Sequence, residues 1–466
     1  MVRVEFDPMG SVEVPSDKYW GAQTQRALMN FNISGKRWDP EIIKSIILIK
    51  KASAEVNRDL GLLDSQKAEL IIKAADHILM NWDVYSDNFP LDVFQTGSGT
   101  STNMNVNEVI SNLACELAGK EKGSRFIHPN DDVNKGQSSN DVIPTSIRIA
   151  SYKMAVKLIY RIFDLIDSFK EKEKEFDGII KTGRTHLMDA TPVSFSQEFS
   201  GYRRQLELSV QRIESVFPRL RELAIGGTAV GTGINTHKDF GKLVSKKINE
   251  YMKNDIPFNL YPEFIESVNH FETQSCIDTF IEFMCSLKIY CLALMKITND
   301  LRWMGSGPFG GIGELFLPEL QPGSSIMPGK VNPVIPEAVG MACSYCIGLE
   351  YSLNIVNQYS NFELSTTFPL VGFAITDSIN ILCNLTDIVK DKLVIGLKPN
   401  LEKIEYAISY NPSVVTPLAK VLGYDRAYEI VKNALKEKIS VKNYVLKHGI
   451  LSQDQVDELL DLKKMI

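Results

Sequence analysis

Four short stretches of this chain concentrate hydroxyl, amide, glycine and histidine residues, the groups that hold a small polar molecule and move its protons. The first is Thr96-Gly97-Ser98-Gly99-Thr100-Ser101-Thr102-Asn103-Met104-Asn105-Val106-Asn107-Glu108. Its glycines let the backbone approach a ligand, its side chains are neutral donors, and the helix start that follows favours an anion. An ordinary helix-capping loop has the same composition, and the residues alone leave both readings open. The second runs from His128 through Asn134 and Gln137 to Ser138-Ser139-Asn140-Asp141. So many polar residues without a charge run suit directional hydrogen bonding to a small molecule. The third, Gly183-Arg184-Thr185-His186-Leu187-Met188-Asp189, contains one group that titrates near neutral pH, His186, a candidate general acid or base. The fourth, Gly323-Ser324-Ser325-Ile326-Met327-Pro328-Gly329-Lys330-Val331-Asn332-Pro333, joins two hydroxyls to a fixed positive charge on a glycine-flanked loop. That is the make-up of a lid that closes on an anion. Val331 after the lysine rules out a phosphate-binding P-loop, and the serines lack the Gly-x-Ser-x-Gly context of an α/β-hydrolase.

Helices must carry these segments. Leu158, Ile162, Leu165 and Phe169 recur at helical spacing, and Leu206, Val210, Ile213, Phe217 and Leu220 read as one nearly heptad seam. Cys276 to Leu301 and Met341 to Val356 are apolar nearly all round, the pattern of helices buried inside a bundle. Strand signals are few: Val2 to Phe6 and Val12 to Val14 alternate around Pro8-Met9-Gly10 and predict one small hairpin. The fold class is therefore mostly α. Three zones are expected, with borders soft by several residues: 1–137 with short helices and the hairpin, 138–395 with the long bundle helices, and 396–466 with short amphipathic helices such as Ser440 to Lys447. Apolar helices of this kind call for partner helices from further copies, so a homo-oligomer is expected.

The chain has 466 residues and a net charge of −6, with no basic footprint for nucleic acid. No HExxH, metal-spaced cysteine set or Gly-x-Gly-x-x-Gly after a strand is present, so neither a metal nor a nucleotide cofactor is indicated. The seven cysteines are irregularly spaced and fit reduced, buried thiols; Cys343-x-x-Cys346 reads as two small residues on one helix face. The first residues lack the charged and apolar regions of a signal peptide, and no uncharged apolar run approaches membrane-spanning length. A cytoplasmic protein is expected, with no membrane partner.

The four segments, in this order, resemble the fumarase/aspartase superfamily, whose signature is the Gly323 to Pro333 sequence. The resemblance also takes in Trp20-Gly21-Ala22-Gln23-Thr24-Gln25-Arg26 and Gly226 to Gly233 and so spans the chain. Within the superfamily, Thr96 to Thr100, His128, Ser138-Ser139-Asn140 and Asn235-Thr236-His237 resemble the class II, iron-free fumarases. Aspartases tend to read Gly-Gly-Ala-Gly-Thr, asparagine, Ser-Thr-Asn and Asn-Thr-Pro at those places. Val415-Thr416-Pro417-Leu418-Ala419-Lys420 departs from the usual Val-Thr-Ala-Leu-Asn-Pro. The resemblance implies a three-domain helical subunit, a homotetramer with a shared helical bundle, and active sites drawn from three chains. It implies reversible hydration of fumarate to (S)-malate, a step of the tricarboxylic acid cycle, with aspartate ammonia-lyase as the alternative. A non-enzymatic structural protein on a lyase scaffold is the rival from another class.

By the same resemblance, Ser324 is the base that takes the carbon-bound proton, and Lys330 and Asn332 bind the carboxylate that gains charge. His186 delivers a proton to the departing hydroxyl, and Glu337 orients His186. Ser98, Thr100, Ser138, Ser139, Asn140, Thr185 and Ser325 hold the substrate. Arg125, His128, Pro129, Asn130 and Asp131 resemble the family's second, non-catalytic dicarboxylate site.

Overall fold

The computed structural model describes residues 1–253, 260 and 263–466. Among them helices dominate, and each of the five sheets has only two strands. The expected N-terminal hairpin is present as Val2–Asp7 paired with Gly10–Pro15 in the register Val2↔Pro15 to Asp7↔Gly10. Its turn is shaped by Asp7, whose Oδ1 accepts the Met9 N–H at 2.9 Å, and by Gly10 at φ 113°.

The chain divides into two compact units. The first comprises Met1–Ile159, Gln211–Ile289 and Ser344–Cys383; the second comprises Tyr160–Val210, Tyr290–Cys343 and Asn384–Ile466. In the first unit the Pro40–Asp59 helix is the central post, packed against Ser65–Met80, Thr100–Leu117 and Phe240–Met252. Asp39 starts it by accepting the Glu41 N–H, with Pro40 at the first helical position. Ile42, Ile46, Ile47 and Ile49 are fully buried, each stabilising the unit by about 1.5–3 kcal/mol. In the second unit the C-terminal segments have a core of their own, built from Ile408, Leu418, Ile430, Val441, Val445 and Val456. Leu418, within the atypical 415–420 segment, is completely buried there.

Long helices run over Ser139–Glu175, Phe195–Glu214, Asp278–Met304, Val334–Val356 and Phe368–Val389. The 37-residue Ser139–Glu175 helix is about 55 Å long at 1.5 Å per residue. One expectation needs correction. The seam from Leu206 to Leu220 is not a single helix, because Phe195–Glu214 ends and a new helix, Phe217–Leu220, begins with Pro218 in its first turn. Proline has no N–H to continue the first helix, so the apolar stripe passes through a break.

Counting uncharged runs alone also understated the apolar helices. Val334–Tyr359 and Phe368–Val394 are long and apolar enough, by length and composition, to cross a membrane, a measure that core helices pass as well. Only 28% of the most apolar window of the first is buried within its own chain. Met341, Tyr345, Tyr351 and Ile355 stand exposed along it. All seven cysteines are free thiols, five of them buried, Cys343 and Cys346 included.

Candidate functional site

In the first compact unit two helix starts converge. The Thr100–Leu117 helix begins after Gly99, which takes φ 74°, a left-handed conformation that glycine adopts without strain. The Ser139–Glu175 helix begins after Ser138. Ser98 Oγ lies 2.7 Å from Thr100 Oγ1, which lies 2.6 Å from Ser139 Oγ, so three predicted hydroxyls form one hydrogen-bonded strip. Asn140 joins from the same turn. Its Nδ2 donates to the Ala229 carbonyl at 2.8 Å, and its backbone N–H donates to Ser138 Oγ at 3.2 Å. Gly97 fits only because it lacks a side chain, since a β-carbon there would lie 2.0 Å from the Thr366 carbonyl oxygen.

Beneath this strip are residues that the sequence reading did not select. Asp141 is fully buried; its Oδ1 accepts the Ser138 N–H at 2.9 Å, and its Oδ2 accepts the N–H groups of Gly226 at 3.1 Å and Thr228 at 2.9 Å. It thereby ties the Ser138–Asn140 turn to the glycine-rich 226–233 loop. Burial pushes its carboxyl above the usual range, and the three N–H groups and Lys50 pull the other way. Lys50 is also fully buried, donating to Asn134 Oδ1 at 2.8 Å and Gln137 Oε1 at 3.0 Å. Burial brings its ammonium down to about 7, against the attraction of Asp141. Asn134 Nδ2 in turn donates to the Gln137 carbonyl at 3.1 Å, just before the Ser138 turn. Asp141 was visible within the second polar segment; Lys50 lies in an apolar helix and gave no local signal.

In the second unit the third polar segment is a hairpin that the sequence reading did not foresee. Ile180–Thr185 pairs with Met188–Ser194, and Thr185↔Met188 closes a two-residue turn of His186 and Leu187. Both turn residues have positive φ, 58° and 61°. That is the type I′ geometry that hairpin twist favours, normally filled by Asn-Gly. For residues with side chains it costs about 1–2 kcal/mol each. The turn holds His186 out at the hairpin tip, exposed, with Thr185 exposed beside it. Among the described residues neither the His186 ring nor the Glu337 carboxylate makes a hydrogen bond or ion pair, so the expected His186–Glu337 contact is not formed within one chain.

The lid loop is organised by its own polar groups. Ser324 Oγ accepts the backbone N–H groups of Ile326 at 3.2 Å and Met327 at 3.1 Å. Two N–H donors aimed at one hydroxyl oxygen stabilise negative charge on it. Lys330 Nζ donates to Asn332 Oδ1 at 2.6 Å, and Asn332 Nδ2 donates to the Gly323 carbonyl at 2.8 Å. Gly323 N–H reaches the Lys330 carbonyl at 2.7 Å, which closes the root of the loop. Ser325 and Lys330 are exposed, and Glu337 is exposed at the start of the Val334–Val356 helix. Met327 to Pro333 line a cavity of about 720 Å³ with Gly305, Leu315 and Asn400.

Arg125, His128, Pro129 and Asn130 line a separate cavity of about 100 Å³ with Glu5, Asp7 and Glu108. The backbone N–H groups of Asn130 and Asp131 point at His128 Nδ1, at 3.3 and 3.1 Å. Asp131 is not among the lining residues; its carboxylate is 81% exposed and approaches His128 Nδ1 at 3.3 Å. Glu108 explains the Trp20 to Arg26 motif structurally. Its buried carboxylate accepts the N–H groups of Gly21, Gln23 and Thr24 and the Thr24 hydroxyl.

Comparison with known proteins places this arrangement in a class. Residues 10–348, which include all four polar segments, match the family model described as Lyase, and residues 414–466 match the one described as Fumarase C C-terminus. The chain is 44% identical over 465 residues to a class II fumarate hydratase of Thermus thermophilus, covering 98% of this chain and 97% of the relative. It is 44% identical over 468 residues to the class II fumarate hydratase of Mycobacterium tuberculosis, covering 99% and 96%. A solved structure of recombinant class II fumarase from Schistosoma mansoni aligns over 100% of this chain and 99% of that one, with TM-score 0.96 and 35% identity. The chain belongs to the class II fumarate hydratase family.

Proposed function

We propose that this chain catalyses the reversible hydration of fumarate to (S)-malate as a hydro-lyase. The observation that carries the reading is Ser324, whose Oγ receives two backbone N–H groups within a loop that also holds Lys330 and Asn332. In the malate direction a proton leaves the carbon beside one carboxylate, and that carboxylate becomes a doubly charged aci-form. Ser324, as alkoxide, accepts the proton. Lys330 and Asn332 face the growing charge, a kind of contribution that reaches about 3–4 kcal/mol per donor. His186 gives a proton to the departing hydroxyl, with Glu337 as its charge partner. Ser98, Thr100, Ser138, Ser139, Asn140, Thr185 and Ser325 hold the dicarboxylate. Arg125 and His128 to Asn130 form the second anion site, with Asp131 at its edge.

The reading extends to assembly: a cytoplasmic homotetramer working in the tricarboxylic acid cycle, each active site drawing on three chains. The exposed Met341, Tyr345, Tyr351 and Ile355 support it, because an apolar helix face of this kind is covered when copies pack together. So does the His186 turn, whose ring has no bonded partner among the described residues of one chain. Purified protein is expected to generate fumarate absorbance from malate with no added metal or nucleotide. Ser324→Ala is expected to lose at least about 10³-fold in kcat with substrate affinity largely kept. Near-normal turnover of that variant would remove the base assignment, and ammonia release from aspartate in place of malate turnover would move the reaction to an aspartase.

A further inference from the structure

One buried ion cluster of the second unit has no part in the reaction as written, yet it touches the hairpin that carries His186. Glu314 is 3% exposed, and its carboxylate takes three cationic donors from one strand. Arg184 Nη1 reaches Glu314 Oε1 and Arg184 Nη2 reaches Oε2, both at 2.8 Å, a two-pronged fork; Lys181 Nζ reaches Oε1 at 2.7 Å. Lys181 is 1% exposed and lies a further 2.8 Å from Glu198 Oε2.

The carboxylate is itself fixed. Glu314 N–H donates to the Met304 carbonyl at 2.9 Å, and its own carbonyl accepts the Asn400 N–H at 2.9 Å. The next residue, Leu315, pairs with Pro399. On the hairpin side, the register shifts between Thr182 and Arg184, and Gly183 passes so close to the Thr191 carbonyl that a β-carbon would lie 2.4 Å from it. Such a bulge re-aims the following side chain, and here that side chain is Arg184. Two residues further on, His186 and Leu187 sit in left-handed backbone without the asparagine or glycine that would hold it unaided.

Resting on the role proposed above for His186, we propose that Glu314 is a positioning residue for the reaction. Anchored on both sides of its own backbone, it grips Lys181 and Arg184 and thereby sets the direction in which the strained His186–Leu187 turn presents its imidazole. A planar guanidinium bound at both oxygens fixes angle as well as distance, which a single ammonium contact does not.

Glu314→Gln and Arg184→Lys test this, each compared with wild type for malate turnover over pH and for amide hydrogen exchange. Arg184→Lys keeps the charge and leaves the Lys181–Glu314 pair in place, so it removes the fork with little threat to folding. Both variants are expected to lose about 10- to 100-fold in kcat with KM within about threefold, since misaiming a group by roughly 1 Å costs on that scale. The kcat pH profile is expected to shift, and the double variant is expected to lose no more than the worse single variant. Exchange of the Thr185 to Met188 amides should quicken at least tenfold. Unchanged exchange at the turn in Arg184→Lys overturns the positioning role whatever the activity. Quickened exchange with wild-type kcat and pH profile overturns its relevance to the reaction. An active variant with undisturbed exchange leaves the function reading intact while sinking this one, whereas wild-type protein inactive on malate removes the function reading and this role with it.

Discussion

Asp141→Asn should do more harm than any other isosteric change near the hydroxyl strip. The carboxylate accepts three backbone N–H groups, at 2.9, 3.1 and 2.9 Å, and donates nothing. Asparagine has one oxygen and one NH₂. If its oxygen faces Gly226 and Thr228, the NH₂ meets the Ser138 N–H head-on; if it faces Ser138, two donors are left opposed. At about 1.5–3 kcal/mol for a hydrogen bond to a charged group, one bond lost and two weakened amount to roughly 3–4 kcal/mol. Lys50 also loses the charge that opposes its desolvation. The loss falls on the link between the Ser138–Asn140 turn and the 226–233 loop, where Asn140 already donates to Ala229. If about 1.4 kcal/mol of it appears in substrate binding, KM for malate rises about tenfold. The assay is fumarate absorbance against malate concentration, paired with urea unfolding. A variant that is destabilised but keeps KM within twofold of wild type would refute the argument, because Asp141 would then serve the fold alone.

Two further predictions concern stability. The Lys50 ammonium is brought from the ordinary 10.5 down to about 7 in the folded chain, so between those values the unfolded chain binds the extra proton and stability rises with pH. With the Asn134 and Gln137 contacts favouring the charged form, a gain of about 2 kcal/mol from pH 7 to 10 is expected, and Lys50→Met should flatten that slope; an unchanged slope in urea unfolding contradicts the assignment. Gly97→Ala places a β-carbon 2.0 Å from the Thr366 carbonyl oxygen, a backbone atom that cannot swing aside. It should cost about 3 kcal/mol of stability, and unfolding at the wild-type urea concentration would show that the loop has room.

Local chemistry made the polar segments readable. Ser98, Thr100, Ser138, Ser139 and Asn140 lie beside glycines and helix starts in the sequence, and the fold brings them together without changing that neighbourhood. The apolar Asp278–Met304 and Val334–Val356 helices announced themselves by composition in the same way. The His186 hairpin did not. His-Leu at a type I′ turn contradicts the usual turn chemistry, and Glu314, which binds Arg184 two residues before it, is 130 residues from Arg184 along the chain. Lys50 was hidden for a similar reason: its partners Asn134 and Gln137 are 84 and 87 residues away. A buried charge is legible only through its partner, and a partner at that distance leaves no periodicity or spacing to read.

The interleaving of the two compact units bears on how the chain is made. The first unit takes its last segment from Ser344–Cys383 and the second ends only at Ile466. A ribosome making this protein must therefore export residues up to Cys383 before the first unit has all its parts. No single protease cut or truncation can release either unit as a whole.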